Sequence, residues 1–255
     1  MMKTSKLLTV SKTGIAIVAL LLTMNVMNAK AQQKDQPVTG NLAARLIRYE
    51  VRPEFQLVFR KAVSDYIMHS VSSETNILSE AFYEQDKPSV LWIIERWNNK
   101  KALEKISKSS WFRSIDSLSR HALIKPAESF YVKDLEPLSK QQWRSSAQKG
   151  DKPVIVMLFV DSKPGTENDF KKLYHTAMPL FRSEPGVINY QLSQFTDDST
   201  RFVTYEKFRN EDAFQYHLHF PPIKAVLDYL HTSIKKQPFE TGLHKLIVFA
   251  PIIPE

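Results

Sequence analysis

The chain repeats itself at a fixed offset of 111 residues, and that repeat limits the possible folds more than any local pattern does. The offset lays Glu95 on Glu206, Trp97 on Phe208, Asn99 on Asn210, Ala102 on Ala213 and Leu103 on Phe214. Upstream, without a gap, it lays Phe59 on Phe170, Ala62 on Leu173, Val63 on Tyr174, Tyr66 on Ala177 and Ile67 on Met178. Each of those sets is spaced for one face of a helix, so the helical phase is kept as well as the residue type. Once residues 1–31 are set aside, a duplication accounts for nearly all of the 255 residues.

The second copy is the easier one to read. Residues 154–160 are apolar at every position and end in Asp161-Ser162-Lys163-Pro164-Gly165, which predicts a buried strand and a turn. Thr166 is placed to cap the next helix, whose stripe is Phe170, Leu173, Tyr174, Ala177, Met178 and Phe181. Ser183-Glu184-Pro185-Gly186 stops it, and residues 187–195 and 201–208 read as antiparallel strands joined by a polar turn. A second helix starts near Asn210 and is broken into two pieces by Pro221-Pro222, before a last strand at 245–250.

The first copy follows with strand 43–51, helix 54–69, strands 76–83 and 90–97, helix 100–118 and strand 129–135. The order βαββαβ is that of a ferredoxin-like unit. Two α+β units are therefore expected, at 41–136 and 153–251, with the polar stretch 137–152 as a linker.

Strand patterning predicts how the units meet. A sheet with helices on one face and water on the other alternates, whereas 154–160 and 90–94 do not. Both faces of each sheet need cover, so the units are expected to pack sheet to sheet as an intramolecular α+β barrel, a pseudo-dimer within one chain.

Residues 1–31 carry Lys3, Lys6 and Lys12, then the apolar run 15–22, then Ala29-Lys30-Ala31, the pattern of a cleaved signal peptide. An exported, periplasmic or secreted protein is expected, with no membrane segment after cleavage. The formal charge of +8 includes the four lysines of that segment; without them 31 basic face 27 acidic residues, so nucleic acid is not an expected partner. Cysteine is absent, which removes disulfides, thiol nucleophiles and Cys-ligated metals.

Tyr205-Glu206-Lys207-Phe208, followed by Ala213 and then His217 and Pro221, resembles the antibiotic biosynthesis monooxygenase family. The resemblance covers the second unit and extends through the repeat to the first. It implies a dimeric α+β barrel, here fused into one chain, and oxidation of a quinol or anthrone-like phenol by O2 without metal or flavin. His217 falls on Ile106 of the first unit, so one main site is expected, with the first unit degenerate.

Chemistry of that kind needs a base, hydrogen-bond donors and aromatic walls. His217 and Glu206 are the catalytic candidates, Glu206 either orienting the histidine or acting as the base. Phe208, Asn189, Gln191, Thr204 and Trp97 are the candidate substrate-binding residues, because Asn189, Gln191 and Ser193 share one strand face and Thr204, Glu206 and Phe208 another. Tyr190, out of phase with the first set, is expected under the helices. Each has a plainer alternative: His217 bonding the backbone at the helix break, Glu206 and Glu95 pairing with backbone or an arginine at the strand end, Trp97 as a core or cavity-wall aromatic. His217 and His219 point apart on a helix and form no metal pair.

Haem-degrading barrels place a histidine later on the second helix, where this chain has Asp116 and Leu227, so haem degradation is a weaker expectation. A non-catalytic exported carrier of a small apolar molecule is the main alternative.

Overall fold

A computed structural model describes residues 42–251; the signal-peptide segment lies outside the described residues. Eight strands form one closed antiparallel barrel in the order β1-β3-β2-β8-β5-β7-β6-β4. The first unit supplies β1 (Ala43–Glu50), β2 (Asn76–Glu84), β3 (Val90–Trp97) and β4 (Glu128–Leu135), and the second β5 (Val154–Asp161), β6 (Val187–Phe195), β7 (Arg201–Phe208) and β8 (Leu243–Ala250). Helices α1 (Gln56–Val71), α2 (Lys100–Ser107) and α3 (Ser110–Ala122) belong to the first unit. Between the units lies α4 (Lys140–Trp143), and the second unit adds α5 (Glu167–Ser183), α6 (Glu211–His219), α7 (Ile223–Thr232) and α8 (Pro238–Thr241).

Each unit is a four-stranded sheet under its helices, and the two sheets close edge to edge. β2 pairs with β8 and β4 with β6, so every strand has two neighbours and no sheet edge is left to bind another chain. The unbroken apolar strands are explained: every residue of β3 is buried, with alternate side chains going to the helices and to the barrel interior. Ile77, Phe82, Trp92, Met157, Val203 and Tyr205 pack together inside. The interior is thus a packed core.

Three local expectations are corrected. The first-unit helix breaks after Ser107, because Ser109 caps a new helix by accepting a bond from Phe112 N–H at 3.2 Å. Thr166 sits at the start of α5 but caps nothing; its hydroxyl bonds the carbonyls of Lys163 and Ser233 and the Tyr229 hydroxyl.

The stretch 137–152 is no free linker. Leu138 and Trp143 are buried in the barrel core, where the Arg96 guanidinium lies 3.9 Å from the Trp143 ring centre. Ser139 and Gln142 form a reciprocal capping box that fixes α4 over the end of the barrel.

Candidate functional site

Each unit buries one glutamate at the same point of its sheet, in a row of four paired residues. In the first unit the row is Ser79–Glu95–Arg45–Tyr131, across β2, β3, β1 and β4. In the second it is Tyr190–Glu206–Val156–Lys245, across β6, β7, β5 and β8. The first row is electrically closed: Arg45 Nη2 lies 2.5 Å and Nε 2.7 Å from Glu95 Oε1, while Tyr66 and Trp97 donate to Oε2 at 2.7 and 2.8 Å.

The repeat replaces all three partners. Val156 stands for Arg45, Ala177 for Tyr66 and Phe208 for Trp97, so Glu206 has no cation beside it. Thr204 donates to Glu206 Oε1 at 2.7 Å. Burial pushes the Glu206 carboxyl up to about 7, against the hydrogen bonds from Thr204 and Tyr190, which pull it down. Burial likewise holds the Tyr174 and Tyr190 hydroxyls well above the ordinary tyrosine range, so both stay neutral donors.

Over this row lies a cavity of about 300 Å³, between the sheet and helices α5, α6 and α7. Val156, Leu158, Tyr190 and Glu206 line the sheet side, and Tyr174, Phe214, His217, Ile223, Val226 and Leu230 the helix side. Of the lining residues, Gln215 and Phe239 are exposed and Lys245 is partly exposed. At the matching place in the first unit there is a groove over Arg45 flanked by Lys100, Glu104 and Lys108, and Glu95 does not reach it.

His217 is buried, its ring among those of Phe181, Tyr190 and Phe208 at centroid distances of 5.0, 5.2 and 5.3 Å. Its Nδ1 lies 2.9 Å from Oε1 of Glu184, the residue that ends α5. Gly186 permits that approach: its φ is +87°, and a Cβ there would stand 2.5 Å from Ala213 Cβ on α6. Burial and the charge of Glu206 push Glu184 up to about 7, while burial pushes His217 down to about 4. At neutral pH the imidazole is therefore uncharged, with a carboxyl behind its Nδ1. No group of three or more His, Cys, Asp or Glu among the described residues could hold a metal.

The model of one family, antibiotic biosynthesis monooxygenase, matches residues 43–115 and 153–229, together more than half of the chain and once in each unit. The chain belongs to the antibiotic biosynthesis monooxygenase family. It is similar in fold to a candidate monooxygenase from Lactobacillus acidophilus, with a TM-score of 0.67 and 15% identity over 82% of this chain and 94% of the other. One from Fusobacterium nucleatum gives 0.67 and 13%, over 82% and 93%. An anthrone oxidase-like protein gives 0.59 and 10%, over 83% and 94%. In sequence, an uncharacterized protein of Synechocystis is 31% identical over 88 residues, which is 34% of this chain and 55% of that protein's length.

Within this family member the structure brings Glu206, His217, Thr204 and Phe208 to the helix side of the second sheet. Tyr190 joins them, as its place under the helices required. Asn189 and Gln191 are on the opposite face, because Tyr190 and not Gln191 pairs with Glu206. There they bond the end of β4 and the segment after it: Asn189 donates to Gln142 O at 2.7 Å and Gln191 to Leu135 O at 2.6 Å. The substrate-binding expectation for these two is corrected. Trp97 is corrected too, being sealed in the first unit against Glu95. The backbone alternative for the His217 side chain and the arginine alternative for Glu206 both give way, since Glu184 holds His217 and Arg45 pairs only the first-unit Glu95. The sequence marks Tyr174 only as part of an apolar helix stripe and gives no functional sign at Glu184 or Lys245.

Proposed function

We propose that the second-unit cavity is a cofactor-independent monooxygenase site for a quinol or anthrone-like phenol, with O2 as co-substrate. One observation carries this reading: a buried glutamate and a buried neutral histidine share an apolar cavity, while the duplicate glutamate is neutralised by Arg45. The volume of about 300 Å³ is at the lower end for small-molecule sites, which suits a compact aromatic body. Family membership supports the reaction type.

In this mechanism the substrate hydroxyl enters beside Glu206 and His217. The neutral imidazole takes its proton, and the Glu184 carboxylate stabilises the imidazolium formed. Tyr174 supplies a neutral hydroxyl donor for the phenolate oxygen, while Tyr190 donates to Glu206. The electron-rich ring carbon joins O2, the imidazolium returns its proton to the peroxide anion, and the hydroperoxide so formed loses water. A ring CH2 becomes C=O: one oxygen atom stays on carbon and the other leaves as water. Export is proposed on the strength of the leader pattern in residues 1–31.

The test is oxygen uptake with a simple hydroquinone or anthrone. His217→Ala is expected to abolish uptake while still binding the substrate. Uptake unchanged in that variant removes His217 from the mechanism, and wild-type binding without uptake makes the protein a carrier.

A further inference from the structure

The two rows carry the same kinds of charge in different places. In the first, acid and cation are neighbours, Glu95 beside Arg45, and they neutralise each other. In the second, the cation is one strand further away: Val156 separates Glu206 on β7 from Lys245 on β8. Two strand spacings put their backbones about 10 Å apart along one face of the sheet. Among the described residues, the Lys245 ammonium has no ion pair with any carboxylate, and it lies 5.8 Å from the Phe214 ring centre. Both residues line the same cavity, which is otherwise largely apolar, and Lys245 is partly exposed.

We propose that this cavity selects phenols bearing an anionic group at the far end of the aromatic body, with Lys245 holding the anion and the hydroxyl end lying at Glu206 and His217. The proposal rests on reading the cavity as the substrate site. A planar ligand two fused rings long spans from the depth to the mouth. The apolar floor at Val156 accommodates the rings, and the partly exposed lysine meets the carboxylate. The opposite orientation would bring the anion against Glu206, so the arrangement also fixes which end is oxidised. Lys245 is thereby a specificity-determining residue.

The test is equilibrium binding, followed by fluorescence, of 6-hydroxy-2-naphthoate and 2-naphthol to the full chain, with no turnover required. Wild type is expected to bind the carboxylate about tenfold more tightly than the neutral naphthol. Lys245→Gln should remove that preference with 2-naphthol affinity unchanged, Lys245→Arg should restore it, and Lys245→Glu should reverse it. Equal affinity of wild type for the two probes, or a preference that survives in Lys245→Gln, overturns the proposal. Because oxygen uptake is measured separately, either result leaves the oxidation reading standing; uptake absent with the naphthoate preference intact contradicts oxidation alone.

Discussion

Glu184 and His217 meet at 2.9 Å across the gap between the end of α5 and the last turn of α6, though 33 residues separate them in the chain. The contact fixes which imidazole nitrogen turns toward the cavity side and places a carboxyl behind it, the arrangement that lets a histidine act as a base. Glu184→Gln keeps the shape and removes the charge. We expect kcat to fall by about ten- to a hundredfold, with substrate binding unchanged and the rise of kcat near neutral pH lost. An unaltered pH profile in this variant contradicts the pairing.

Glu206 supplies a stability test. Its folded value of about 7 is above the ordinary carboxylate value, so between roughly pH 4.5 and 7 the folded state holds a proton that the unfolded chain has released. That contribution is complete below about pH 4.5 and is lost as pH rises through 7. Glu206→Gln does not titrate, so it should gain on wild type by up to about 3 kcal/mol between pH 4.5 and 8. Urea denaturation across that range checks it; a difference independent of pH means that Glu206 ionises as if in water.

His217 works in the opposite direction. Its value is depressed to about 4, so the unfolded chain binds the extra proton first and stability falls as pH drops from about 6.5 through 4. His217→Asn should flatten that acid-side loss in the same denaturation series, and an unchanged slope contradicts the burial of a neutral ring.

In the first unit the charges are structural. Arg45→Met leaves Glu95 buried beside an apolar side chain and should cost about 3–5 kcal/mol. The double variant Arg45→Met/Glu95→Gln should recover most of that loss, since the uncompensated charge is gone. Equal destabilisation of the single and double variants contradicts this account.

The barrel was legible because the offset of 111 residues preserves the phase of each element, and the unbroken apolar strands required cover on both faces. The site was only half legible. Alternation assigns side chains to faces within one strand but does not relate one strand to the next, and a register shift lies between Val187 and Asn189; Gln191 was therefore placed beside Glu206 when Tyr190 is. Polar composition in 137–152 concealed Leu138 and Trp143, two apolar residues that suffice to anchor the segment. Nothing local marks Glu184 as a partner of His217, since the contact depends on a turn at Gly186 that brings α6 against it.

The central claim is that the exchange of Arg45 for Val156 between the two copies creates one reactive cavity per chain. Oxygen uptake with anthrone, by wild type and by a folded Val156→Arg variant, tests it most directly. We predict that wild type consumes one O2 for each anthrone converted to the quinone, and that the variant, with its new guanidinium beside Glu206, loses at least about a hundredfold in rate. A wild type that takes up no oxygen, or a Val156→Arg variant that keeps the wild-type rate, contradicts the account.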